Sequence, residues 1–502
     1  MRTNIRLWLL LGATVAVRCW FLITHRLDSD EPQHLHVAWA WTRGLVQYRD
    51  VFDNHLPLLH VLFAPLLAVV PEGSQVFSIA RWAIAPFAIA CAWLLYSFVR
   101  PMFGTRTAIA AAVLFSVLPP WMPKSVEFRN DVLWIFFWLA ALALLARRSR
   151  AAFLLAGIAL GLSLLASVKT IPLLLAHLLV LVTQRRPVAI RAALQIAVGM
   201  AIPLGIAAAC MLAVGALDDL VFATISYNAA APVPAVRRIG GVIAFAIGAP
   251  LLVLAWTRAG RNLDHPVARL VLFTIWYTAV LLCFWPIVTG RDFLPIVPVA
   301  AIAVAMRLPE RRWLGALTAA TIAAVVLSVI YDRPWRPPEQ WRGHIVDAAV
   351  RVTAPDDYVF DLKGDAIFRR RPVYYVYEDV GRALIETGAI PDAGPEQIAA
   401  RGCCAAIRDV THIPTRTRAF LNKHFIGGKG PLRVCGVRVT GPTFDIAVPQ
   451  TYAVLARDPH RVVIDGVPYR GPRRLEAGQH SLSGGGNGEV TVIWWRAARE
   501  AL

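Results

Sequence analysis

Residues Asp28–His60 read DSDEPQHLHVAWAWTRGLVQYRDVFDNHLPLLH. The stretch holds the acids Asp28, Asp30, Glu31, Asp50 and Asp53, the histidines His34, His36 and His55, and the aromatics Trp39, Trp41, Tyr48 and Phe52. An apolar run, Ile5–Ile23, stands directly before it, with Arg2 and Arg6 ahead of the run. No small-x-small cleavage site follows, so the run reads as an uncleaved first span with the N-terminus in the cytoplasm. So much polar chemistry in one short loop of a polytopic chain marks a working loop at the bilayer surface.

The rest of the chain supports that placement. Of its 502 residues, 57% are hydrophobic and only 17% charged, which is too apolar for an ordinary soluble enzyme. The net charge of +19 is explained by basic residues between apolar runs, so no nucleic-acid partner is called for. Further apolar runs lie near 57–71, 78–99, 107–122, 132–146, 152–168, 171–183, 192–214, 241–257, 270–287, 294–306 and 314–331. The basic connectors are Arg100–Arg106, Arg147–Arg150, Arg185–Arg191, Arg258–Arg269 and Arg307–Arg312. All fall on one side together with Arg2 and Arg6 only if the run 57–71 lies along the surface instead of crossing. That gives about eleven spans by hydropathy and charge bias, with the C-terminus outside. The loops 24–56, 123–131, 168–170, 215–240 and 288–293 then face outward. Arginine far outnumbers lysine and alanine is abundant, a bacterial composition.

From about Asp332 the pattern changes. Pro334, Pro337 and Pro338 mark a linker. Trp341–Thr353 reads as a helix, and Tyr358–Leu362 and Val373–Tyr377 read as buried strands. A helix at 380–388, a strand at Cys404–Ile407, a helix at 415–424 and a strand at Leu432–Val439 complete an α/β unit. Beyond Gly441-Pro442 the chain reads as all-β, with Asp465-Gly466 as a hairpin turn. The expected domains are therefore a transmembrane domain (1–332), a periplasmic α/β domain (333–440) and a small β-rich module (441–502), which resembles small β-sandwich modules of bacterial envelope proteins. Seven cysteines show no metal-like spacing. Cys403 or Cys404 could bridge to Cys435 in an oxidising compartment, or all three could be free.

The order of motifs resembles the membrane glycosyltransferases of the GT-C class, in the bacterial branch of the protein mannosyltransferase and lipid A aminoarabinose transferase superfamily. Those families carry an Asp-Glu pair before a helix, here Asp30-Glu31, and about twenty residues on a tyrosine–acid–Pro segment, here Tyr48-Arg49-Asp50 and Asp53-Asn54-His55-Leu56-Pro57. Leu56 stands where the family has a second proline. Glu127-Phe128-Arg129-Asn130-Asp131 resembles its Glu-Ala-Arg-Pro-Asp segment, with Asn130 in place of proline. Thr289-Gly290-Arg291-Asp292-Phe293-Leu294-Pro295 resembles its Arg-Tyr-x-Leu-Pro segment, with Asp292 in the tyrosine slot. The resemblance covers roughly the first 330 residues.

What the resemblance implies is a polyprenyl-phosphate sugar as donor and a glycolipid, lipid A or protein as acceptor, on the outer face of a bacterial inner membrane. A phosphate leaving group is already a stable anion and needs no general acid, unlike the leaving group in glycoside hydrolysis. One carboxylate must take the acceptor's proton, and cations must hold the departing phosphate. Asp30 is the expected base, with Glu31 beside it. Lys169, Arg291 and Arg129 are the expected phosphate ligands. Asp131, Tyr48, Asp53 and His55 are expected to orient donor or acceptor. Arg81 is expected to stabilise the bundle. Asp30-Glu31-Pro32 is also a good helix start, Lys169 fits a snorkelling boundary lysine, and Arg129 with Asp131 fits a surface ion pair. His34 and His36, two apart on a helix, point to different faces and argue against a metal. A transporter or flippase is the rival class; it would show paired repeats and midplane charges, where this chain shows neither. A non-catalytic relative acting in envelope assembly is the third reading.

Overall fold

The structure, a computed structural model, describes residues 2–184, 190–230, 266–285, 288–333, 341–408, 412–427, 430–484 and 489–501. The expected span 241–257, part of the loop 215–240 and the linker prolines lie outside the described residues.

The chain divides into two compact units. The first contains residues 1–31, 54–63 and 77–338. Its helices are apolar and follow the hydropathy runs. They include α1 (Arg2–Thr24), α4 (Val76–Val117), α6 (Asn130–Leu145), α7 (Arg150–Ala166), α8 (Thr170–Thr183) and α9 (Ile190–Ala213). Pro266–Phe284, Ile296–Ala305 and Trp313–Asp332 follow. Among the described residues, five helical stretches are long and apolar enough to cross a membrane, and five more apolar helices are shorter. Apolar side chains face outward from them, as at Trp8, Ile206 and Leu212, which are 72, 61 and 67% exposed. Such a surface suits lipid, not water.

Helix α4 contains the expected run 78–99 and most of the run 107–122, joined through Gly104 at φ 81°, ψ 168°. A side chain would strain that backbone, so the basic connector at Arg100–Arg106 bends the chain through glycine. Between α2 (Glu31–Thr42) and α4 lies α3 (Leu58–Val69). Its 12 residues span about 18 Å, short of a bilayer core of about 30 Å.

Helices α7 and α9 pack through glycine. A Cβ on Gly157 would stand 2.2 Å from the Ile196 carbonyl oxygen, and one on Gly199 would stand 2.2 Å from that of Leu154. Gly161, four residues after Gly157, meets Pro203 and Met200 in the same way. Small residues four apart let two membrane helices touch backbone to backbone, where lipid offers no hydrophobic drive to pair them. Ser149 caps α7 by accepting from the Ala152 N–H at 3.2 Å.

The second unit combines residues 32–53, 64–76 and 339–502. Its main sheet has the order β1-β2-β4-β11-β6-β9, with β3 also paired to β4. These strands are β1 (Val359–Phe360), β2 (Ala405–Ile407), β3 (Phe425–Gly427), β4 (Leu432–Val439), β6 (Gln450–Leu455), β9 (Arg473–Leu475) and β11 (Val490–Trp494). A four-stranded sheet joins β5 (Thr443–Ile446), β10 (Gly478–Ser483), β7 (Val463–Ile464) and β8 (Val467–Pro468). Val490–Trp494 pairs with both β4 and β6, so one sheet runs across the division expected near residue 440. The Asp465-Gly466 turn closes the β7–β8 hairpin with both residues at positive φ, 52° and 74°. Cys403, Cys404 and Cys435 are buried free thiols.

Val373–Tyr377 is not a strand. Its apolar residues are buried, but the Arg371 guanidinium donates to the carbonyls of Tyr374 and Tyr375, at 3.3 and 3.0 Å. A side chain thus meets backbone acceptors that a ladder would otherwise satisfy.

Candidate active site

Glu31 opens α2, with Pro32 in the first turn, and its side chain is fully buried. Arg81 on α4 donates to it from Nε at 2.8 Å and Nη2 at 2.6 Å. The Phe128 N–H donates to it at 3.0 Å and the Asp28 N–H at 2.9 Å. Arg81 also donates to the carbonyls of His25 and Arg26. One buried ion pair thereby ties the chain after α1 and the 123–131 loop to α4. Burial would raise the Glu31 pKa, but Arg81 more than offsets it and holds the carboxyl below its ordinary range. Of the two expected catalytic acids, Glu31 is buried against Arg81, while Asp30 keeps 23% of its side chain exposed.

Asp30 pairs with Arg129 Nη1, which also donates to Asp28 Oδ1 at 2.7 Å. Arg129 Nε reaches Asp131 Oδ2 at 3.3 Å. Asp131, at the first turn of α6, accepts from Lys169 Nζ at 3.1 Å. Lys169 stands at the start of α8, 3.2 Å from Asp292 Oδ1 and over the Trp134 ring at 5.6 Å. Arg291 completes the group. It pairs with Glu127, donates to Asp28 Oδ2 at 2.5 Å, and lies 3.6 Å from Asp131. Four separated segments, 28–31, 127–131, 169 and 291–292, thus converge on one charged cluster.

Behind it, Glu127 is fully buried and also receives Lys124 Nζ at 2.8 Å and His25 Nε2 at 2.9 Å. The other face of His25 lies 2.6 Å from Asp332 Oδ1. Burial opposes charge on His25, but the two carboxylates outweigh it and raise its pKa. Burial likewise opposes charge on Glu127, yet Arg291, Lys124 and His25 hold its carboxyl well below the usual range. Asp292 accepts from the Thr289 N–H and hydroxyl at 2.6 and 2.8 Å, which caps the short turn carrying Arg291.

The structure brings together Asp30, Glu31, Arg129, Asp131, Lys169 and Arg291. Tyr48 and Asp53 belong instead to the second unit and are buried there. Asp53 accepts from the amides of Gln33 and Gln47 at 2.9 and 2.8 Å. Tyr48 sits at φ 76°, and its carbonyl accepts from the Tyr374 hydroxyl. His55 is half-buried in the first unit, beside Asn54, which bonds Asn228. The sequence reading assigned no role to Asp28, Glu127, His25, Asp332 or Lys124. The available signal for His25 and Asp332 was a titratable residue at the end of an apolar run. Among the described residues, no cluster of His, Cys, Asp and Glu could hold a metal ion.

This polytopic helical fold, with its β-rich C-terminal region, is the GT-C fold. Residues 55–212 match the family model of dolichyl-phosphate-mannose-protein mannosyltransferases. The crystal structure of ArnT from Cupriavidus metallidurans in the apo state is similar, with a TM-score of 0.67 and 13% identity; the match covers 87% of this chain and 98% of that one. The same protein bound to undecaprenyl phosphate gives a TM-score of 0.61 and 14% identity over 85% of this chain and 96% of that one. The Archaeoglobus fulgidus oligosaccharyltransferase tethered with an acceptor peptide gives 0.50 and 12% identity, covering 85% and 74%. No curated protein matches the chain.

Proposed function

We propose that the protein is an integral membrane glycosyltransferase of the GT-C type. It takes a sugar from a polyprenyl-phosphate donor and transfers it to an envelope acceptor, a glycolipid such as lipid A or a protein, at the outer face of a bacterial inner membrane. The observation that carries the reading is the convergence of Arg129 and Arg291 on the partly exposed Asp28 and Asp30, with Lys169 joined to the same cluster through Asp131.

The chemistry is a single inverting displacement. The acceptor hydroxyl attacks the anomeric carbon, the bond from that carbon to the phosphate oxygen breaks, and the electron pair leaves with the polyprenyl phosphate. The acceptor's proton passes to Asp30. Lys169, Arg291 and Arg129 hold the departing phosphate, whose charge grows as the bond breaks. These cations are already engaged by carboxylates, so donor entry requires Asp28 and Asp30 to loosen their hold. Both have room to do so, being 20 and 23% exposed.

The test is transfer in proteoliposomes, with a panel of polyprenyl-phosphate sugars and an envelope extract as acceptor. Wild type is expected to use one donor and Asp30→Asn none. Absence of transfer with every donor, in folded protein, would favour a transporter or assembly role.

A further inference from the structure

The second unit contains a cleft of about 310 Å³ that the transfer chemistry does not use. It is lined by Arg49, Arg370, Arg371 and Arg401, with Asp50 as the only acid among its lining residues. All of these belong to the same compact unit. Two of the arginines are neutralised locally: Arg49 by Asp50 at 2.9 Å, and Arg371 by the buried Asp361 at 2.8 Å. Arg371 thereby becomes a fixed wall. Arg370 and Arg401 have no carboxylate partner among the described residues.

Arg401 is held from another side. It donates to the Tyr358 hydroxyl at 3.2 Å and lies over that ring at 5.6 Å. Arg370 is placed by its backbone, whose carbonyl accepts from the Val359 N–H at 3.0 Å beside β1. Tyr358 and Tyr374 add aromatic surface to the same lining. His36, also in the wall, is uncharged at neutral pH: burial lowers its pKa to about 4. It adds neither attraction nor repulsion for an anion. A concave site with two guanidinium forks that pair with no carboxylate suits a group carrying paired anionic oxygens, and the aromatic lining suits the apolar side of a sugar ring. The volume suits one sugar and its charged substituent.

We propose that this cleft binds an anionic sugar, one bearing a phosphate or a carboxylate, as the recognition group of the acceptor. The assignment to the acceptor rests on the glycosyltransferase reading; the binding itself does not.

The experiment is calorimetric titration of the full-length protein in detergent with glucose 6-phosphate, glucuronate and glucose. At least one anionic sugar is expected to bind saturably, at least tenfold tighter than glucose. Arg370→Gln and Arg401→Gln are each expected to weaken it about tenfold, the scale of one charge-assisted contact. Lys169→Ala and Asp30→Asn are expected to leave it unchanged, which separates the cleft from the charged cluster. Preference for glucose 6-phosphate would identify a phosphorylated group, and preference for glucuronate a carboxylated one. No saturable binding, equal binding of glucose, or wild-type affinity in both arginine variants would overturn the proposal. Saturable binding by a protein that transfers no sugar would overturn the glycosyltransferase reading and leave the cleft standing.

Discussion

Glu31 and Arg81 form a buried two-point ion pair, with Nε and Nη2 of Arg81 at 2.8 and 2.6 Å from the carboxylate, while the neighbouring Asp30 stays at the accessible edge of the charged cluster. Adjacent acids in the chain thus have different environments, and the difference can be measured.

Asp30→Asn is expected to leave the folded protein intact and to lower transfer by roughly two to four orders of magnitude, the usual contribution of a general base. Glu31→Gln is expected to lose stability, by about 3–5 kcal/mol, because Arg81 is left buried without its partner. Thermal unfolding in detergent alongside a transfer assay separates the two. A Glu31→Gln protein of full stability and no activity would reverse the assignment.

Lys169→Ala is expected to raise the KM for the lipid-linked donor more than the KM for the acceptor, by roughly 10- to 100-fold, as for a lost hydrogen bond to a charged group. Lys169→Arg is expected to recover part of it. An equal effect on both substrates would mean that Lys169 only holds Asp131 and Asp292 in place.

His25 has a raised pKa because its contacts to Asp332 and Glu127 outweigh its burial. Its protonated form therefore stabilises the folded state. That contribution is fully present below the unfolded value of 6.5 and is lost as pH rises through the higher folded value. Melting temperature is expected to fall across that window in wild type and to lose this component in His25→Gln. The same slope in both would remove His25 from the account.

Gly157→Leu is expected to destabilise the first unit by at least about 2 kcal/mol, since its Cβ would enter the Ile196 carbonyl 2.2 Å away and force α7 from α9. Detergent thermal melts of the variant measure this. Gly205→Leu on α9, where a Cβ meets nothing within 4 Å, is the matched control and is expected to melt near wild type.

The helices of the first unit were legible in the chain because hydropathy is a local property and basic connectors mark one side of a bilayer. The run at 57–71, expected from charge parity to lie along the surface, folds as the short helix α3. Lys169 could be named because it interrupts an apolar run, where charge is costly, and Asp30, Arg129 and Arg291 because their motifs resemble those of the GT-C families. Their partners could not. Arg129 meets Asp30 across 99 positions and Arg291 meets Asp28 across 263, and no local pattern specifies such a pairing. Nor could the chain tell Glu31 from Asp30: both are acids at one helix start, and burial against Arg81, 50 positions away, separates them. Val373–Tyr377 was misread as a strand because the Arg371 side chain, three and four positions away, meets the carbonyls of Tyr374 and Tyr375. Apolar periodicity and charge bias are written residue by residue. Which carboxylate is buried, which cation it neutralises and which arginines stay without a carboxylate depend on contacts that exist only once the chain has packed.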